Sequence, residues 1–173
     1  MGYAFLGLMS ASESGIIASV VFISLYAIMT IGAFSFIMAM RKDENQSYDI
    51  NDLAGLSKTH PIMALSFSII LISMASIPPL GGFVGKFYIF LSTVESGFVY
   101  LAVIGLVFSV ISAFYYLKVI KIIYLDDLVE SLSSPFDKRL SFTVFLSALF
   151  MLTFLLFAKS YVEMISNSVS SVF

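Results

Sequence analysis

Gly15 to Met40 is a run of twenty-six residues without one charged side chain. As a helix it would be about 39 Å long, more than the ~30 Å hydrocarbon core of a bilayer. Phe98 to Tyr124, charged only at Lys118 and Lys121 near its end, and Leu140 to Ala158 are long enough to do the same. With 60% hydrophobic and 12% charged residues, the chain lacks the polar groups to clothe a soluble globule. Lipid must be its outer solvent, and it reads as an all-α integral membrane protein.

The remaining composition excludes several classes of function. A net charge of −2 with nine scattered Lys and Arg argues against nucleic acid. The absence of cysteine excludes a disulfide framework, an iron-sulfur cluster and a thiol nucleophile. The one histidine, His60, has no carboxylate at a ligand-like spacing, so no metal site and no cofactor are expected in this chain. His60 precedes Pro61 at a membrane boundary, where interfacial placement and a proton-sensing role are both readings.

The organisation expected is one membrane domain, 1–173. Residues 1–9 are too short to span and read as the tail of a helix. Crossings follow at 15–40, 61–96, 98–124 and 140–160, and the Ser-rich tail after Tyr161 reads as a frayed terminus. The loop from Arg41 to His60 is polar, with room for a short surface helix near Asn51 to Ser57, capped by Asn51 or Asp52. Leu125 to Arg139 reads as a polar turn.

The segment 61–96 is interrupted at 77–82, where Pro78 and Pro79 remove backbone donors and Gly81 and Gly82 loosen the chain. It is either one discontinuous crossing or a hairpin of two. With one crossing, Arg41, Lys42, Lys58, Lys118, Lys121, Lys138 and Arg139 share a side and leave Lys159 on the other. With two, the seven divide three against four. The positive-inside rule favours one interrupted crossing, with the basic loops facing the cytoplasm or mitochondrial matrix.

Lys86 follows the break by four residues, with apolar sequence on both sides. An ionisable residue at that depth costs a few kcal/mol or more and by default marks an ion path. Taking an ammonium out of water penalises its charged form, so such a lysine is a group that can bind and release a proton. Unwound backbone is tolerated in a membrane only where protein or a water-filled cavity satisfies it. The bland alternative is a kinked helix with a lysine snorkelling to a headgroup.

Partners for that proton are less sharply marked. Tyr26 and Thr30 share a helix face with Ser24 nearby; they can hold a water chain, bond to their own backbone or join neighbouring helices. Ser109, Ser112 and Tyr116 form a stripe on the next span, where Tyr115 stands three residues before Lys118. Lys118 is placed either to receive a proton from Lys86 or to snorkel to the basic side. Ser24, Tyr26, Thr30, Tyr88 and Tyr115 are the candidate channel-lining residues.

Five segments, in order, carry a resemblance: Met1 to Leu8 (MGYAFLGL), Tyr26 to Phe34 (YAIMTIGAF), Asp52 to Leu56 (DLAGL), Ile77 to Tyr88 (IPPLGGFVGKFY) and Ser112 to Lys118 (SAFYYLK). Together they resemble the C-terminal part of subunit N of respiratory NADH:quinone oxidoreductase, complex I, called NADH dehydrogenase subunit 2 in mitochondria. The resemblance implies the antiporter-like fold, two inverted repeats each containing a broken helix, of which this chain would carry the last four crossings and the tail of the one before. It implies that Lys86 is the proton-carrying lysine of the second broken helix and that Lys118 occupies a basic position of the following helix. Thr30 departs from an asparagine usual there.

The first broken helix, its lysine and a paired glutamate would lie upstream of Met1. The resemblance therefore leads us to expect a split subunit whose N-terminal half is a separate partner, assembled with other membrane-arm subunits and membrane lipids. NADH, FMN, iron-sulfur clusters and quinone would be bound by other subunits. The setting implied is the mitochondrial inner membrane, with the bacterial plasma membrane as alternative. Proton translocation coupled to NADH oxidation is the activity implied. A subunit of a multi-subunit cation/proton antiporter and a non-pumping structural fragment are the rivals.

Overall fold

The computed structural model describes residues 2–42, 45–46, 49–127 and 137–171. Among them the regular structure is helical apart from a short ladder in which Arg41 pairs with Gln46 and Lys42 with Asn45. The helices are α1 (Gly2–Met9), α2 (Glu13–Ala39), α3 (Leu56–Thr59), α4 (Pro61–Met74), α5 (Gly81–Glu95), α6 (Val99–Leu125) and α7 (Lys138–Ser170), with a 3₁₀ turn at Ile50–Leu53. Helices α2, α6 and α7 are long and apolar enough to cross a membrane. The protein is an all-α, multi-pass membrane protein.

Helices α4 and α5 have fourteen and fifteen residues. Each is about 21 to 23 Å long, short of the ~30 Å a crossing needs. Their contacts on α2 show them acting as one crossing. Phe67 stacks on Phe36 with ring centroids 3.8 Å apart. Ile70 lies against Gly32, Gly85 against Leu25 and Phe22, and Ile89 joins the cluster of Ala18 and Phe22. As the number rises from 67 to 89 on the broken pair, it falls from 36 to 18 on α2. One interrupted helix thus runs antiparallel to α2.

The other helices fall into the same register. Ser147 meets Gly32, Tyr161 bonds to Ser24, and Ser170 bonds to Glu13, so α7 is antiparallel to α2 along its whole length. Phe90 lies against Gly105, and Lys86 against Ser109, so α6 is antiparallel to α5. The seven basic positions of the charge argument consequently lie toward one end of the bundle, while Lys159, two residues before Tyr161, lies nearer the middle of α2 than its far end. Small residues make the close approaches, as expected where lipid removes the hydrophobic drive between helices and packing must supply the cohesion.

Three local expectations change. The tail after Tyr161 is helical to Ser170, because α7 remains docked on α2 and the Ser170 hydroxyl reaches Glu13 at 2.6 Å. The surface helix near Asn51 to Ser57 is two pieces, a 3₁₀ turn and α3, divided at Gly55, whose φ of 69° favours a residue without a Cβ. Its cap is Asp49, which accepts from the Asn51 backbone N–H at 2.9 Å, rather than Asn51 or Asp52. The turn from Leu125 to Arg139 lies mostly outside the described residues.

Candidate functional site

The break that organises the site is held by side-chain chemistry. Helix α4 ends at Met74, and α5 starts at Gly81 after Ser76, at φ 60°, and the prolines Pro78 and Pro79. The Gly82 backbone N–H, an orphan donor in the first turn of α5, donates to Ser73 Oγ at 2.9 Å. The side chain of one half-helix therefore caps the start of the other. Gly82 is the residue that permits this: a Cβ there would fall onto the Ser73 carbonyl oxygen.

Lys86 is one turn further along α5 and is only 7% exposed. It lies nine residues before the end of α5 at Glu95, or ~14 Å from that end, which is near mid-bilayer. Its Nζ donates to Ser109 Oγ at 2.9 Å and stands 4.7 Å from the centroid of the Tyr3 ring. The Tyr3 hydroxyl in turn donates to the Gly105 carbonyl at 3.2 Å, one turn of α6 from Ser109. Among the described residues the ion pairs are Lys58–Asp127, Lys121–Asp126 and Lys159–Glu163, so no carboxylate accompanies Lys86.

Beside Lys86 is a cavity of about 200 Å³ to which Tyr3, Tyr26, Ser76, Ser112 and Tyr116 present polar groups. At ~30 Å³ per water it has room for about six waters. The Ser76 Oγ is buried there with no protein partner. On its other flank Lys86 borders a groove of about 350 Å³ walled by Phe83, Phe87, Phe90 and Leu106. The lysine thus separates a polar chamber from an apolar one.

The sequence candidates distribute unevenly around this centre. Lys86 and Tyr26 are at it, and Tyr88 packs in the adjoining apolar clusters. The Thr30 hydroxyl donates to the Tyr26 carbonyl at 2.7 Å, and the Ser24 hydroxyl donates to Val21 at 2.8 Å while accepting from Tyr161 at 2.8 Å. Tyr115 is 63% exposed and Lys118 is also exposed, and the two share a groove with Asp49 and Asn51. Lys118 is nine residues from Ser109 along one helix, ~13 Å, so the two lysines are not within direct transfer distance. His60 is the N-cap of α4, the full length of that half-helix from the break, with Nδ1 3.2 Å from the Thr59 hydroxyl.

Two participants were missed or undervalued by the sequence. Tyr3 lies in a fragment too short to interpret alone, and its place over Lys86 depends on α1 packing beside α5 and α6. Ser109 was visible as part of a stripe, but nothing in the stripe singled it out.

Residues 1–112 match the family described as "NADH:quinone oxidoreductase/Mrp antiporter, TM". The chain is 42% identical to NADH-quinone oxidoreductase subunit N of Pelagibacter ubique over 167 residues, 96% of this chain and 36% of that one. It is 42% identical to the subunit N of Bartonella bacilliformis over 173 residues, all of this chain and 35% of the relative. It therefore spans about a third of the length of these relatives. Among solved structures, respiratory complex I from Thermus thermophilus matches 94% of this chain and 36% of its own with a TM-score of 0.80 at 24% identity. The Mrp complex from Dietzia sp. matches 98% of this chain and 40% of its own with a TM-score of 0.81 at 18% identity. The chain belongs to the NADH:quinone oxidoreductase/Mrp antiporter membrane family, and the resemblance to subunit N carried by the five segments is borne out.

Proposed function

We propose that these residues form a proton-carrying portion of a subunit-N-type membrane subunit of NADH:quinone oxidoreductase, in which Lys86 binds and releases the proton. The observation that carries the reading is the burial of Lys86 with no carboxylate partner among the described residues, just after the break in a discontinuous crossing and beside a cavity lined by hydroxyls. A charge held in a low-dielectric interior responds to every change of charge around it. Energy released elsewhere in the assembly, as electrons pass from NADH to quinone, would thus act on the protonation of Lys86. The chain itself does no bond chemistry and holds no redox cofactor in this reading. NADH, FMN, iron-sulfur clusters and quinone belong to other subunits.

The choice of partner at Nζ suits such a role. A serine hydroxyl both donates and accepts, so the 2.9 Å contact between Lys86 and Ser109 can persist with the amine charged or neutral. A carboxylate in that place would hold the proton on. Ser109→Ala should therefore lower proton translocation by roughly two- to tenfold, the equivalent of one ordinary hydrogen bond of about 0.5–1.5 kcal/mol. Thr30→Val should leave it unchanged, because the Thr30 hydroxyl is engaged with its own helix. Both are read as initial rates of dye-reported acidification in vesicles, and equal losses in the two variants would contradict the assignment.

The antiporter alternative has the same fold, with TM-scores of 0.80 and 0.81 for the two structures. The preference for the oxidoreductase rests on sequence, where subunit N relatives reach 42% identity. The remainder of the antiporter-like fold and the adjoining membrane-arm subunits are the expected partners. They would sit in a bacterial plasma membrane or a mitochondrial inner membrane, with the basic loops inward. A tagged chain purified in mild detergent should bring flavin and iron-sulfur subunits with it. Recovery with transporter subunits alone would overturn the proposal.

A further inference from the structure

Among the described residues Lys86 is the one charged side chain in the buried interior. The titratable groups on its cavity are phenols, Tyr3 from α1, Tyr26 from α2 and Tyr116 from α6, while α7 meets the start of α5 with Met151 and Phe154. What stands against the ammonium is the Tyr3 ring, its centroid 4.7 Å from Nζ. A cation within ~6 Å of a ring is drawn to the electron-rich face, and more strongly where water is excluded. The ring is firmly held. It meets Phe22 and Phe90 edge-on at 6.0 and 5.9 Å, and its hydroxyl donates to the Gly105 carbonyl. Helix α1 is itself tied to α2 by the Ser19 hydroxyl, which donates to the Ala4 carbonyl at 2.9 Å. The bare surface of α6 at Gly105 admits this packing, since a Cβ there would stand 2.9 Å from the Phe90 ring and 3.1 Å from Leu6.

We propose that Tyr3 is a positioning residue for the proton-bearing state of Lys86, standing in for a carboxylate and acting through the charge distribution of its ring face rather than through its hydroxyl. The inference rests on the reading of Lys86 as the proton carrier. A ring has no net charge, so it attracts the ammonium without bringing a second ion into the membrane interior, where each desolvated ion is costly. Nor does it form a bond that the departing proton must break. The two partners of Nζ thus divide the work. Ser109 can hold the amine charged or neutral, whereas the ring favours the ammonium alone. With its hydroxyl engaged at Gly105, Tyr3 is oriented by one end and works by the other.

The test is made on the assembled complex in sealed vesicles, as protons moved per NADH oxidised. Tyr3→Leu should lower the ratio roughly three- to tenfold, and Tyr3→Phe, which keeps the ring face, by less than about twofold. The deciding series holds shape nearly constant and varies only charge: Tyr3 is replaced, by codon suppression, with phenylalanines bearing one, two and three ring fluorines. Each fluorine draws electron density from the face, so translocation should fall stepwise from the Phe value toward that of Leu. A ring that only fills space would give one value throughout, and that flat result overturns the proposal. So does wild-type translocation in Tyr3→Leu. If Tyr3→Leu fails to assemble, the fluorinated series still decides. Adding Tyr3→Leu to Lys86→Met should cause no further loss, and an additional loss overturns the claim that the ring acts through the lysine. A flat fluorine series with impaired Lys86→Met removes the role of the ring and leaves the proton-carrying reading. Normal translocation in Lys86→Met removes that reading, whatever the Tyr3 variants do.

Discussion

Replacing Lys86 by Met is expected to cut NADH-driven proton translocation several-fold in a complex that still assembles. Met nearly matches the length of the lysine stem and brings no charge into a site that is 7% exposed. The substitution removes the hydrogen bond to Ser109 and the approach of the ammonium to the Tyr3 ring. An unpaired buried hydroxyl costs about 1–3 kcal/mol, and a helical serine can recover part of that by turning to a carbonyl one turn back, as Ser112 does toward Ser109 at 2.8 Å. Relief of the desolvated charge offsets the rest. Lys86→Arg separates charge from proton exchange, because a guanidinium does not give up its proton in a protein. It should fail like Met although it keeps the positive charge. The measurement is protons moved per NADH oxidised in sealed vesicles, and a normal ratio in either assembled variant would sink the assignment.

Gly82→Ala should deplete the subunit from the membrane, the largest structural effect expected from adding one methyl group to this chain. The new Cβ would meet the Ser73 carbonyl oxygen closer than a real carbon can approach, with the Ser73 hydroxyl 3.0 Å away. The obstacle is backbone, which cannot rotate aside as a flexible side chain can. Relief would require pulling α5 away from α4, breaking the Gly82 to Ser73 hydrogen bond that caps its first turn. Ordinary overpacking costs about 1–3 kcal/mol, and a clash with main chain at a helix junction should exceed it. The quantity of tagged chain in membranes and the thermal stability of the purified complex report the effect. Gly2→Ala, where nothing lies within 4 Å of the added carbon, is the matched control. Wild-type levels and stability for Gly82→Ala would show that the junction is looser than described.

The crossings and the break were open to reading because they depend on local rules. Every backbone group in lipid must be satisfied within its segment, so length and absence of charge identify spans. Pro78, Pro79, Gly81 and Gly82 interrupt a helix by their covalent structure alone. Even the count of crossings was accessible, because one crossing gathers seven cations toward one face, whereas a hairpin divides them. Lys86 stood out for the same reason that it matters: charge is rare at that depth.

What the sequence could not say is which hydroxyls meet the lysine. In a soluble helix an amphipathic stripe tells the inward face from the outward one, but lipid and protein interior are equally apolar, and α2, α4 and α6 carry no such stripe. Thr30 and Ser109 look alike on paper, yet one bonds its own helix and the other receives Lys86 Nζ. Tyr3 reaches the site by a contact with Gly105, 102 residues away. The sequence by itself determined a membrane bundle with one broken crossing and a lysine committed to its middle. Only packing decided what surrounds that lysine, because in lipid the rotation of each helix is set by its neighbours rather than by its own pattern.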